Sequence, residues 1–286
     1  MSENRFTSIL NSFGRYIKSI FIPEPITISN GKVIVPPRPK APYIIIGLVV
    51  LSIYSLRVTE FDLPRLIDRF DQLVPIMGRI FNPEFEYVGE VIGPVLDTIQ
   101  MSLIGTFLGV FLALPVAFLA SGNINKNKLI VTITKVILVF FRTFPILVYA
   151  MILVLLFYYG TFAGTVAITI FTFSIISKML YEHIETIDLG AFEAMQATGS
   201  GILKSFITAI LPEILPTYYS LSLYSLEINI RYAAVLGYVN AGGIGMLMND
   251  RMSLNQWERL GTILLALFVV VFTIETISKS IRKRLV

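Results

Sequence analysis

Residues 98–120 run for 23 positions without an aspartate, glutamate, lysine or arginine. A helix rises about 1.5 Å per residue, so about 20 apolar residues cross the roughly 30 Å hydrocarbon layer of a bilayer. In lipid the backbone has no water to bond, and a helix satisfies its own N–H and C=O groups. Further apolar runs at 43–56, 129–159, 162–180, 214–236 and 260–281 give the expectation of an all-α, polytopic membrane protein with about six spans. The first is short, and reaches crossing length only if flanking residues join it. Composition agrees. Hydrophobic residues make up 55% and charged residues 15%, against about one quarter charged in soluble domains.

The charges set an expected orientation. Arg5, Arg15, Lys18, Lys32, Arg38 and Lys40 precede the first run, and Arg282, Lys283 and Arg284 close the chain. Lys126 and Lys128 fall between the second and third runs, and Lys178 and Lys204 flank the loop after the fourth. With six spans all of these share one side, which the positive-inside rule makes cytoplasmic. Residues 1–42 then form a cytoplasmic tail and 43–286 the transmembrane domain. Residues 57–95 form an external loop in which basic residues mix with Glu60, Asp62, Asp68, Asp71, Glu84, Glu86 and Glu90. The basic ends are assigned to orientation and the lipid surface, with no nucleic-acid partner.

Several chemistries lack their residues. There is no cysteine, and His183 is the one histidine, so disulfide, thiolate and His-rich metal sites are not expected. The start does not read as a cleavable signal peptide, because the polar, proline-rich stretch Ile34-Val-Pro-Pro-Arg-Pro-Lys-Ala-Pro42 precedes the first apolar run. No targeting signal beyond the spans is needed for a bacterial inner membrane.

The third run is too long for one plain crossing and is broken by Phe140-Phe-Arg-Thr-Phe-Pro145. Proline removes a backbone donor and kinks a helix, and such breaks survive where the backbone is buried in protein or lines a water-filled cavity. Two readings stand for Arg142 and Pro145: a kink with a snorkelling arginine, or a break beside a transport path.

The loop 182–212 carries the most informative pattern. Asp188 is placed to cap a short helix from about Ala191, with acidic residues near its positive end. Gly199 and Gly201 should stop that helix, and a second helical stretch leads to Leu211-Pro212. The Gly-Ser-Gly and Lys204-Ser205 nearby do not make a P-loop, since Leu203 and Thr198 stand where glycines are required. The chain itself is therefore not expected to hydrolyse ATP. The order Glu193-Ala194, Gly199, Leu211-Pro212 resembles the EAA loop of ABC importer permeases, with Met195 in place of the third-position alanine and Ala209 where isoleucine is usual. That resemblance implies a helix that fits a groove on a partner ATPase and passes on nucleotide-driven movement.

A second pattern follows: Glu227-Ile-Asn-Ile-Arg231, then Leu236-Gly and Ala241-Gly-Gly-Ile-Gly245. Glu227 and Arg231 share a helix face, and ionisable groups at membrane depth face a cavity or each other. They are a structural pair or part of a gate. The glycines suit either close helix packing or a constriction. The run is similar to that of phosphonate-type ABC permeases, as are Arg142 and Pro145, and the likeness extends from about residue 96 to the end, with Asn240 where that family has glycine. The resemblance implies a type I ABC importer permease: a homodimer around a central path, two copies of a cytoplasmic ATPase, and an extracellular or periplasmic binding protein that delivers a phosphonate or related small oxyanion such as phosphite. It also implies that ATP and Mg are held by the partner ATPase, with no cofactor in this chain. Glu193, Ala194, Gly199, Leu211 and Pro212 would couple to the ATPase; Arg142, Pro145, Glu227, Asn229, Arg231, Gly242, Gly243 and Gly245 would line the path or its gate.

Rival readings are an ATPase-independent secondary transporter or channel, which would leave the EAA-like loop unexplained and shows no clear internal repeat, a membrane-embedded enzyme, and a passive assembly subunit.

Overall fold

A computed structural model describes residues 26–27, 31, 33–34 and 40–285. Most of the tail, including Arg5, Arg15, Lys18, Lys32, Arg38 and residues 36–39, lies outside the described residues. The chain divides into two units, Met1–Gln72 and Leu73–Val286. In the first, Ile26–Thr27 and Val33–Ile34 form a two-residue antiparallel pair. There α1 (Ala41–Val58) extends the short first run at both ends, reaching 18 residues. α2 (Leu63–Asp68) starts at Asp62, whose carboxylate accepts the Arg65 N–H at 3.1 Å.

The second unit holds the packed bundle. α3 (Phe70–Ile80) begins in the first unit and ends in this one. A 3-10 turn at Phe85–Tyr87 leads into α4 (Val88–Ala120), which starts ten residues before the apolar run itself. At 33 residues it measures about 50 Å and overshoots the hydrocarbon layer. The segment 57–95 therefore contains α2, α3 and the first turns of α4.

The third run is two helices, not one crossing. α5 (Lys128–Thr143) and α6 (Ile146–Phe157) meet at 86° around Phe144 and Pro145. Pro145 has no N–H to continue the ladder, and the residue before proline is pushed toward extended backbone; Phe144 has φ −89° and ψ 133°. α7 (Thr161–Ile184) and α12 (Trp257–Arg282) match the fourth and sixth runs within a turn. α8 (Gly190–Ala197), α9 (Ile202–Ser205) and a π-turn at Phe206–Ile210 lead into α10 (Leu211–Leu236). After a 3-10 turn at Gly237–Val239 comes α11 (Ile244–Ser253).

By length and hydropathy α1, α4, α7 and α12 can each cross a membrane, and the bent pair α5–α6 is long and apolar enough only when taken together, as a broken span or a re-entrant loop. The expected fifth run corresponds to α10. It has 26 residues but carries Glu213, Glu227 and Arg231, and it packs on α4, α7 and α12. Burial against other helices lets α10 keep a polar content that a lipid-facing helix could not.

Small residues set the central contact. A Cβ on Gly105 would lie 2.7 Å from Ile168, and one on Gly109 would lie 2.7 Å from Thr172. Glycines four apart on α4 thus let α7 come against the helix backbone, as small-xxx-small pairs do in membranes. Apolar clusters are stacked along the bundle. Tyr87, Val91, Ala234, Ile244 and Ile263 pack at the upper end. Ala120, Ile124, Ile184, Phe192, Phe206 and Ile210 are among those at the lower end, which carries the connections 121–127 and 185–210.

Candidate functional site

The lower-end loop is built around one aromatic anchor. Gly190 N–H donates to Asp188 Oδ1 at 3.0 Å, an Asx turn that opens α8 one residue earlier than the expected start. α8 then ends where Gly199 takes φ +84°, with open space around it. Phe192 is buried, 4% exposed, among Leu180, Tyr181, Ile184 and Phe206, while Glu193 and Ala194 on the next positions are exposed. Phe206 in turn packs on Phe118 of α4, ring centroids 4.8 Å apart. Sequence alone does not single out Phe192; its signal is the one aromatic side chain in an eight-residue helix.

Leu211 and Pro212 sit where the π-turn becomes α10. A proline ring clashes with the carbonyl four residues back, and the wider i→i+5 turn at Phe206–Ile210 gives that carbonyl room. Leu211 packs against the Phe192 cluster and Pro212 is exposed. The loop after α4 is fixed to the same end. Glu185 Oε1 accepts the Gly122 N–H at 2.7 Å and Lys135 Nζ at 2.8 Å, and Asn123 donates to the Ile184 carbonyl at 2.8 Å. Burial works against the Glu185 charge, but the Lys135 ammonium and the Gly122 amide together hold its carboxyl below the ordinary value.

The 227–245 pattern divides into three sets of contacts in the structure. Asn229, 1% exposed, donates from Nδ2 to Thr106 of α4 at 2.8 Å and to Thr172 of α7 at 2.7 Å. It is a clamp among three helices. Glu227 pairs with Arg231 and also accepts from Arg282 of α12 at 3.2 Å; Arg231 reaches Glu275 at 3.4 Å, and Glu275 pairs with Lys279. The expected pair is thus part of a five-residue network tying α10 to α12.

Gly242, Gly243 and Gly245 form a turn pressed against backbone. A Cβ on Gly245 would lie 1.9 Å from the Ala234 carbonyl, and one on Gly243, at φ +72°, 2.6 Å from Thr98 Oγ1. Thr98 Oγ1 accepts the Ile244 N–H at 2.7 Å. Asn240 has φ +58°, a left-handed conformation that asparagine tolerates better than most residues. The substitution of Asn for Gly keeps the turn.

Arg142, in the last turn of α5, and Pro145 are exposed at the α5–α6 break. Arg142 shares a cleft of about 360 Å³ with Phe171, Ser174, Ile175, Lys178 and Met179 of α7. Among the described residues no ion pair joins Arg142 to the Glu227–Arg231 network. The residues expected from sequence to couple, Glu193, Ala194, Gly199, Leu211 and Pro212, lie at the lower end.

The profile of the family described as "Binding-protein-dependent transport system inner membrane component" matches residues 105–286. The chain belongs to this family. It is the membrane-spanning permease subunit of a binding-protein-dependent ABC importer, whose substrate-binding protein and ATPase are separate chains.

The permease is similar to the "Phosphite transport system permease protein PtxC" of Stutzerimonas stutzeri, 28% identical over 240 residues, covering 84% of this chain and 86% of that one. It is 27% identical over 232 residues to the "Phosphate-import permease protein PhnE" of Mycolicibacterium smegmatis; this match covers 81% of this chain and spans only 44% of that relative. A chain of the MetNI methionine ABC transporter shares the fold with TM-score 0.60 at 24% identity, over 68% of this chain and 96% of that chain.

Proposed function

We propose that the permease forms, as a homodimer, the membrane path for a phosphonate or related small oxyanion such as phosphite, and that α8 docks on the partner ATPase. The observation that carries the coupling reading is the division of α8 into two faces. Glu193 and Ala194 are exposed for a partner, while Phe192 is buried against α4, α7 and the π-turn. A push on the outer face is delivered to the ends of the bundle helices through a packed contact, and packed contacts transmit displacement.

The substrate class is supported by the names of the similar permeases, which include phosphite and phosphate systems, and by Arg142, which no carboxylate neutralises among the described residues. The Gly242, Gly243 and Gly245 turn, with Glu227, Asn229 and Arg231, acts as the scaffold that holds α10 in place beside the path. In this reading the lower end and both chain termini are cytoplasmic, in line with the positive-inside rule, and residues 57–95 lie outside. ATP and Mg are bound by the ATPase.

Import by proteoliposomes holding the permease, its ATPase and a phosphite-loaded binding protein tests this. Uptake of phosphite or methylphosphonate that needs all three proteins and ATP agrees with the proposal. Uptake that continues without the ATPase assigns the chain to secondary transport. Import of an amino acid with neither oxyanion carried rejects the substrate class alone.

A further inference from the structure

Phe171, Ser174, Ile175, Lys178 and Met179 are spaced i, i+3, i+4, i+7 and i+8, so they form one stripe of α7, and that stripe faces Arg142 across the 360 Å³ cleft. Among the described residues two cations line this space and no carboxylate does. Lys178 has a nearby partner in Glu182, 3.0 Å away and one turn further along, with its side chain 49% exposed. The Ser174 hydroxyl donates to the Phe171 carbonyl at 2.9 Å, which leaves the guanidinium as the unpaired donor and the ammonium as one shared with Glu182.

We propose that this cleft is a relay site for the transported oxyanion, with Arg142 as the permanent cation and Lys178 as an exchangeable one. The inference rests on the oxyanion reading above and adds the place and the residues.

Three observations carry it. Ionisable side chains within membrane helices face a cavity or a partner, and Arg142 has the cavity without an ion-pair partner among the described residues. The 86° break beside it is the kind of helix interruption that lines a water-filled space. Arg231, the other cation suited by charge, is occupied by Glu227 and Glu275, so it offers an anion little net attraction.

Size and strength also suit passage. The cleft holds a tetrahedral anion with several waters, at about 30 Å³ for each water. A guanidinium grips an oxyanion through paired N–H donors. Conduction needs sites weak enough to leave, and Glu182 supplies this by competing with the anion for Lys178.

The chain has no cysteine of its own, so Met179→Cys places a single thiol on the cleft wall. In the assembled importer, an anionic methanethiosulfonate should label it at least about fivefold faster than a cationic one, because a cationic cleft concentrates counter-ions by about tenfold or more. Adding Arg142→Gln and Lys178→Gln should erase that preference. In the 179-native background the same two changes should cut phosphite import at least about tenfold, and Arg142→Lys with Lys178→Arg should restore most of it.

Equal labelling by the two reagents overturns the proposal, as does wild-type import by the neutral variant. Failure of the charge-retaining variant to rescue import assigns the pair to packing and also overturns it. If the unmodified importer carries neither phosphite nor methylphosphonate, the oxyanion reading itself falls, and the relay with it.

Discussion

Lys135 on α5 directs its ammonium to Glu185 at the end of α7, Nζ to Oε1 2.8 Å, and the same oxygen accepts the Gly122 amide. One carboxylate therefore joins α5, the end of α7 and the loop between α4 and α5. Neither residue stands out in the sequence, because a pair 50 positions apart leaves no local pattern.

The sign of the pH dependence follows from the lowered carboxyl. Its stabilisation is fully present above the ordinary glutamate value of 4.5 and is lost as pH falls through the lower folded value. Thermal unfolding of the purified permease should show Glu185→Gln less stable by about 1 kcal/mol near neutral pH, with the difference shrinking in acid. A difference that holds constant down to acid pH contradicts the assignment.

Asn229 should behave as a clamp. Asn229→Leu removes donors to Thr106 and Thr172, and hydrogen bonds between membrane helices average about 0.6 kcal/mol with a maximum near 1.7. A loss of about 1–2 kcal/mol is expected in a mixed-micelle unfolding titration, while Asn229→Gln recovers part of it.

The turn after α10 separates two kinds of constraint. Gly245→Ala puts a methyl within 1.9 Å of the Ala234 carbonyl and should cost about 1–3 kcal/mol, the usual range for overpacking. Asn240→Val should cost about 1–2 kcal/mol, the usual penalty for a left-handed non-glycine residue. Asn240→Gly should be close to neutral. Unfolding midpoints of the three variants, compared side by side, check the order.

Glu227 faces two arginines with its side chain 9% exposed. Glu227→Gln leaves the partly exposed Arg231 and Arg282 without that charge and should destabilise by about 1–2 kcal/mol. Replacing both arginines by glutamine in the same chain should recover stability. A triple variant no better than the single one contradicts the network.

These cases mark what is legible in a chain of this kind. Membrane helices declare themselves by length and apolarity, so α4, α7 and α12 were found within a few residues or, for α4, within the run that crosses. The Phe144–Pro145 break is visible because proline acts locally, but its 86° angle depends on how α6 packs against α7. The Glu227–Arg231 pair is four residues apart and readable; Arg282, 55 positions away, is not. α10 is the exception among the spans, since burial beside α4 and α7 replaces lipid and relaxes the demand for apolar residues. In the loop after α7, Gly199 and Pro212 can be recognised from backbone rules, whereas Phe192 acquires its meaning from the cluster that closes over it.

The most direct test of the central claim is ATPase activity of the reconstituted permease and ATPase, stimulated by the loaded binding protein, for the native chain and for Glu193→Ala with Gly199→Pro. Proline cannot take the φ of +84° found at Gly199, so α8 loses both its exposed Glu193 carboxylate and the left-handed turn that follows it. Stimulation in the native complex that disappears in the variant, with the permease still inserted and folded, is the predicted result. Equal stimulation in both would contradict coupling through α8.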